Sequence, residues 1–301
     1  MVRPRCSALR VTVLSLHLVN SSQPTDRWGR LYSVIMTTTS AVDGLLVDLT
    51  DGVLSVTINR PDSLNSLNAA VLAGIADTFE AAADDPGVKV ARLGGAGRGF
   101  SSGAGIGADD AGSIESGGDP VDVLYLANRA IRSIVNLPRP VVSVVQGPAA
   151  GVGVSLALAG DLVLASDKAF FMLAFTKIGL MPDGGASALV AASVGRARAM
   201  RMALLAERIS AADALAWGLV SNVYPADQFD AEVAAVIAQL GVGPVVSQAL
   251  TKRAVNAATL TELEPALGLE TEGQIALLHA SDFREGVKAF QERRTPTFTD
   301  T

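Results

Sequence analysis

From Gly44 onward the spacing of apolar residues divides the chain into short elements. "LLVDL" (45–49) and "VLSVTIN" (53–59) flank Asp51-Gly52, which reads as two strands joined by a tight hairpin turn. "NAAVLAGIADTFEAAADD" (68–85) has helical spacing, with Asn68 placed to cap it. "VKVARLGG" (88–95) is a strand that runs into glycines, and "VDVLYLANRAIRSIVNL" (121–137) is an amphipathic helix ended by Pro138. "PVVSVVQG" (140–147) has no polar alternation, so it predicts a strand buried on both faces. "AAGVGVSLALAG" (149–160) is helix material made of small residues. "DLVLAS" (161–166) and "AFFML" (169–173) are two further short strands. After Gly184 the spacing is helical almost to the end, apart from a short strand in "GLVSNVY" (218–224). Alternating strands and helices followed by a helical tail predict an α/β core with a helical appendage.

The first 35 residues differ from the rest. Arg3, Arg5 and Arg10 precede an apolar run, "VTVLSLHLV" (11–19), shaped like a weak signal or transit peptide. No small-residue cleavage site follows, and the run is too short to span a bilayer. The expectation is a disordered extension over 1–40, or a natural start at Met36.

Composition narrows the function. The 301 residues carry a net charge of −6, and 49% are hydrophobic, enough for a sizeable core. Mild acidity without a basic stripe argues against nucleic acid. Cys6 is the only cysteine and His17 and His279 the only histidines, which excludes an internal disulfide, a thiolate zinc site and a CxxC redox pair. A cytoplasmic protein that needs no membrane, metal or redox cofactor is the expectation.

Two glycine-rich stretches are candidate chemistry. "GGAGRGFSSGAGIG" (94–107) follows a strand. As a dinucleotide fingerprint it fails, because Phe100 stands where the third glycine belongs. Gly99 to Gly103 also spells the nucleophile elbow G-x-S-x-G around Ser101, but only His279 is available to activate that serine. The stretch is otherwise a loop whose successive backbone N–H groups can face an anion, or a plain surface loop. "QGPAAGVGVSLALAG" (146–160) opens a helix with tiny residues, which suits either donation from the helix N-terminus or close packing.

In order along the chain stand "NRPDSLNSLN" (59–68), "GFSSGAG" (99–105), "QGPAAGVGVSLALAGDLVLAS" (146–166), "GLMPDGGAS" (179–187), "ISAADALAWGLVSNV" (209–223) and "FREGVKAFQERRTPTF" (283–298). This set resembles the crotonase superfamily, the enoyl-CoA hydratase/isomerase family, over about residues 43–298. The resemblance implies a spiral of ββα units over 41–240 and a C-terminal helical region over 241–301 that supports a homotrimer or a dimer of trimers. It implies an acyl-CoA thioester substrate, with coenzyme A as part of the substrate, and a place in fatty-acid metabolism.

The resemblance also assigns residues. The thioester oxygen would sit in an oxyanion hole formed by the backbone N–H groups of Ser102 and Val152. Ser63 and Leu64 match the turn that contacts coenzyme A; Gly103, Ala104, Gly105, Ile106 and Gly151 complete the binding loops. Lys288, Arg293 and Arg294 match a basic segment that meets the CoA phosphates, or else form a solvated helix face. Val152 replaces the family's glycine or alanine and would crowd the pocket, while Gly105 replaces its usual aspartate. Asp109, Asp110 and Glu115 read as a solvated face near the loop, Asp161 as structural and Trp217 as packing.

The carboxylates decide the chemistry. Hydratases of the family use two glutamates. Ser155 stands at the first of those positions here and the second falls near Phe175, in "FMLAFTKIG", and neither can transfer a proton. Asp183 lies in "GLMPDGGAS" and matches the single acid of the isomerase branch. It is the only charged residue between Lys177 and Arg196. It would carry a proton from C2 to C4 of an enoyl thioester, or else it caps the helix that begins at Gly184. The alternatives are a silent acyl-CoA-binding protein and a CoA-thioester hydrolase or dehalogenase on the same fold.

Overall fold

The computed structural model describes residues 42–105 and 120–300. The Arg-bearing N-terminal stretch, Ile106 and the acids Asp109, Asp110 and Glu115 lie outside the described residues.

Strands β1 (Leu45–Thr50) and β2 (Val53–Ile58) pair antiparallel across Asp51-Gly52, both of which have positive φ. After a short 3-10 turn (Pro61–Ser63), helix α1 (Ala69–Ala83) starts where expected: the Asn68 side chain accepts a hydrogen bond from the N–H of Val71. Then follow β3 (Val90–Gly95), α2 (Pro120–Asn136), β4 (Val141–Val145), β5 (Ala149–Ala150) and α3 (Val152–Leu158). Next come β6 (Leu162–Ser166), β7 (Phe170–Met172) and a 3-10 helix (Ala174–Ile178). The remainder is α4 (Ala186–Leu205), β8 (Ile209–Ser210), α5 (Ala211–Trp217), β9 (Asn222–Tyr224), α6 (Phe229–Gly241), α7 (Val245–Thr259), α8 (Leu263–Leu278) and α9 (Ser281–Gln291).

Six strands form one sheet in the order β1-β2-β3-β4-β6-β9, parallel except for the β1/β2 hairpin. β5, β7 and β8 form a second, small sheet. Every residue of β4 is buried because both faces of the large sheet are covered. Val141 and Val145 join the main core with α1, α2 and α3, whereas Val142 and Val144 pack with Phe229, Val233 and Ile237 of α6.

The loops after β2, β3 and β4 leave the same end of the parallel strands, where open α/β sheets place their ligands. Two isolated bridges lace these loops together, Leu67 to Ala104 and Ser101 to Ala149. The strands β5 and β8 fall outside the sequence expectation, since two residues carry no readable alternation. Among the described residues no single helix is long and apolar enough to cross a membrane.

Candidate active site

The site is assembled from four loops, and the first two are zipped together by Ser102. Its N–H donates to the carbonyl of Leu64 at 2.9 Å, and its hydroxyl donates to the carbonyl of Ser63 at 3.0 Å. This joins the turn expected to meet coenzyme A to the glycine loop. It also commits the Ser102 N–H, expected to point at a substrate oxygen, to a partner within the chain. Leu64 and Asn65 both adopt left-handed backbone (φ 55 and 59), uncommon for residues with a side chain. Asn65 explains how the turn is held. Fully buried, its amide donates to the carbonyls of Ala96 and Gly99 at 2.8 and 2.7 Å and accepts from the N–H of Arg60 at 2.9 Å.

The glycine loop then meets the start of α3. Gly103 has φ +89, and a Cβ there would lie 2.7 Å from the carbonyl oxygen of Ala150, so only glycine lets the loops approach. Val152 follows as the first residue of α3, and its N–H is among those that a first helical turn leaves without an intrahelical acceptor. Its side chain is buried. A Cβ on Gly184 would stand 3.0 Å from Val152 Cγ2 and 3.2 Å from Ser155 Cβ, so the missing side chain at Gly184 makes room for this valine.

Ser101 is not a free nucleophile. It is fully buried, its hydroxyl donates to the carbonyl of Asn65 at 2.8 Å, and it accepts from the N–H of Gly103 at 3.1 Å. His279, the only histidine available to it, terminates α8. The nucleophile elbow is thereby excluded.

Asp183 sits between these loops and α8. Its Oδ2 accepts a hydrogen bond from Gln274 Nε2 at 2.7 Å. Its Oδ1 is buried and has no partner among the described residues. Burial pushes the carboxyl up to about 7; the Gln274 hydrogen bond opposes this rise and the charge of Glu270 adds to it. Ser155, where hydratases carry their first glutamate, donates its hydroxyl to the Asp183 carbonyl at 2.8 Å. Phe175, near the second glutamate position, is a buried ring whose edge would face a Cβ on Gly151 at 3.9 Å.

The reading of Asp183 as a helix cap is corrected here. Helix α4 begins at Ala186, two residues later than expected, after Gly184 and Gly185 with φ +64 and +75. The donors at its start are taken by Glu270 of α8, whose carboxylate accepts from the N–H of Gly185 at 2.6 Å and of Ser187 at 2.8 Å, and from the Ser187 hydroxyl. With its capping role filled from α8, the Asp183 carboxyl is left for other work.

Of the other expected residues, Gly105 replaces the family's aspartate and donates its N–H to Leu67 at 3.2 Å, while Ala104 is exposed beside it. Arg294 is engaged by Glu285 at 2.5 Å and Glu292 at 2.6 Å, and with Lys288 and Arg293 it lies on an exposed face. Trp217 packs against the core under Arg198 and Arg201, 5.3 and 5.6 Å from its ring centre. Asn65, Glu270 and Gln274 escaped the sequence reading. The signal for the last two was present: they continue the buried stripe of Leu263 and Leu267 at helical spacing, so polar side chains stand where core residues belong.

Two hollows elsewhere hold no comparable chemistry. A groove of about 520 Å³ between α2 and α7 is lined by Arg132, Leu137, Leu250, Lys252 and Asn256 among others. A crevice of about 300 Å³ at the strand ends is lined by Arg92, Gln146, Lys168 and Asp230 among others.

Comparison with known proteins identifies the family. The family described as "Enoyl-CoA hydratase/isomerase" matches residues 48–301. The 1,2-epoxyphenylacetyl-CoA isomerase of Escherichia coli K12 is 38% identical over 259 residues, covering 85% of this chain and 98% of that protein. The trans-2-decenoyl-[acyl-carrier-protein] isomerase of Streptococcus mutans is 32% identical over 262 residues, covering 85% of this chain and 97% of that protein. A crystal structure of an enoyl-CoA hydratase from Mycobacterium avium subsp. paratuberculosis K-10 is 67% identical and superposes with a TM-score of 0.80, covering 86% of this chain and all of that one. The α/β architecture, the order of the motifs and these matches place the chain in the enoyl-CoA hydratase/isomerase family.

Proposed function

We propose that the protein shifts the double bond of an enoyl-CoA thioester, with Asp183 as the single acid–base group. The Asp183 carboxylate takes a proton from C2 of a 3-enoyl thioester. The electrons move into a dienolate whose negative oxygen is held by backbone N–H groups, that of Val152 foremost. The same carboxyl returns the proton to C4, leaving a 2-enoyl thioester and a regenerated carboxylate. A backbone donor aimed at such an oxygen typically contributes about 3–4 kcal/mol. The proton affinity of Asp183, near neutrality, suits both halves of the transfer. The reaction as written needs no metal or redox cofactor.

The observation that carries this reading is the asymmetry of Asp183: one oxygen held by Gln274, the other buried and open. Two-carboxylate hydration is disfavoured by Ser155 and Phe175. The names of the Escherichia coli and Streptococcus mutans relatives, both isomerases of thioester substrates, support it. A homotrimer fits α7, which turns the Lys252 side chain inward and leaves Val246, Leu250 and Val255 exposed.

A second reading rests on Ser102. Its N–H is engaged by Leu64, so the second donor must be shared with the substrate or released to it. A protein that never releases it is a silent binder of acyl-CoA. The test is a screen of 2-enoyl, 3-enoyl and aryl CoA thioesters, repeated with Asp183→Asn. The isomerase reading requires the shift to fall by about 10³–10⁴-fold in the variant, with acyl-CoA affinity kept within a few-fold. Tight binding without any double-bond shift in the wild type selects the silent binder.

A further inference from the structure

We infer that Glu270 and Gln274, one turn apart on α8, are positioning residues that hold the Asp183 carboxyl in one orientation, with one oxygen bonded and the other left for the substrate. This rests on the reading of Asp183 as the acid–base group.

The segment 181–187 is held from α8 by two side chains, each with two anchoring points. Gln274 accepts the N–H of Met181 at 3.2 Å through Oε1 and donates through Nε2 to Asp183 Oδ2 at 2.7 Å. The amide thus fixes both the backbone before Asp183 and one oxygen of its carboxyl. Glu270 grips the backbone after it, at Gly185 and Ser187. Both side chains are almost completely buried. Left-handed Gly184 lies between the grips and left-handed Gly185 within one of them, and without the grips nothing in their backbone preference would hold the carboxyl in place. Rotation of Asp183 about its side-chain bonds would break the Gln274 bond. One carboxyl oxygen is therefore always held by Gln274, and its equivalent twin is always the one without a partner.

Burial is the main cause of the raised proton affinity of Asp183, and the same pair adjusts it in opposite senses. The Gln274 amide stabilises the carboxylate; the negative charge of Glu270 opposes it. Other charges near the segment are few among the described residues. Helix α3 carries none, α4 has none before Arg196, Lys177 of the 3-10 helix is exposed, and Glu272 of α8 is exposed. Removing each grip should thus move the titration of Asp183 in a different direction, which a mere loss of packing would not do.

The experiment follows the infrared carboxylic-acid band that Asp183→Asn lacks, as pH is raised, in wild type, Gln274→Met and Glu270→Gln. The midpoint should rise by about one pH unit in Gln274→Met and fall by about one in Glu270→Gln. In both variants kcat on 3-hexenoyl-CoA or 3-decenoyl-CoA should fall by about 10–100-fold while affinity for hexanoyl-CoA stays put. Should Gln274→Met not fold, Gln274→Glu keeps the shape and shares a proton with Asp183, and must raise the midpoint. Midpoints that stay at the wild-type value, or move together, overturn the inference even if the wild type is an active isomerase. Opposed midpoints in a wild type that shifts no double bond uphold the positioning role and overturn the isomerase reading instead.

Discussion

Two buried charged groups can be compared within this molecule. On one side Lys252 reaches from α7 to Asp161 at 2.9 Å and also donates to the carbonyls of Ile134 and Arg139 at 3.1 and 3.3 Å. Its three protons are all used; Asp161 takes this bond and the N–H of Val141 (2.7 Å) on one oxygen, and its side chain is 21% exposed, unlike the enclosed second oxygen of Asp183. On the other side Asp183 has one oxygen bonded and the other bare. Burial works against the charged form in both places, pushing Asp161 and Asp183 up and Lys252 down. The cation opposite Asp161 restrains its rise, whereas the charged neighbour of Asp183 is another carboxylate. A saturated buried charge ties elements together. An unsaturated one is a cost to the fold that a ligand, a bound water or a reaction offsets.

The largest effect is expected where the saturation is broken. Lys252→Met leaves the partly exposed Asp161 without its cation, and should lower unfolding stability by about 3 kcal/mol in denaturant titration. Adding Asp161→Asn, which removes the stranded charge and can still accept from Val141, should recover about half of that loss. If the single variant costs under 1 kcal/mol, the pair is no anchor and the comparison loses one of its terms.

The opposite sign is expected at the site. The folded-state affinity of Asp183 is raised above its unfolded value, so between about pH 4 and pH 7 the folded chain holds a proton that the unfolded chain has released. Stability from this group therefore falls as pH rises through that window, and the full penalty stands above it. Asp183→Asn should be more stable than wild type by about 2 kcal/mol at pH 8, with the gap closing near pH 4. Measuring the two proteins side by side cancels Asp161, which is present in both, while the charge coupling of Asp183 with Glu270 is part of the difference. A variant less stable than wild type at pH 8 would make Asp183 a structural group like Asp161.

The same contrast explains what could be read in advance. The hairpin, the Asn68 cap and the buried strand β4 are local features, set by residues a few positions apart, and the sequence expectation placed them all. Asp183 was conspicuous because a carboxylate between proline and two glycines has no neighbouring cation. Its surroundings were not legible, because they come from α8, about 90 residues away. Glu270 and Gln274 look like ordinary solvated helix residues until their alignment with Leu263 and Leu267 is noticed. The mistaken cap had the same origin: an aspartate before a helix is a good cap locally, and only the long-range arrival of Glu270 displaces it. For the same reason Ser102 was expected to be free, since nothing in its own loop announces the Leu64 carbonyl.

The smallest effect tests whether the site segment resembles the Lys252 anchor after all. Ser155 is fully buried and its hydroxyl donates to the carbonyl of Asp183 at 2.8 Å. That carbonyl also receives the N–H of Ala186 at 3.2 Å, so Ser155→Ala does not strand it. The loss should be about 1 kcal/mol of stability, the usual net worth of one hydrogen bond. The turnover of a 3-enoyl thioester should fall about three- to tenfold with affinity unchanged, because a small displacement of the acid is felt in the rate and not in binding. A stability loss of several kcal/mol would mean that the 181–187 segment is pinned as rigidly as Lys252, and the free oxygen of Asp183 would then be a by-product of packing.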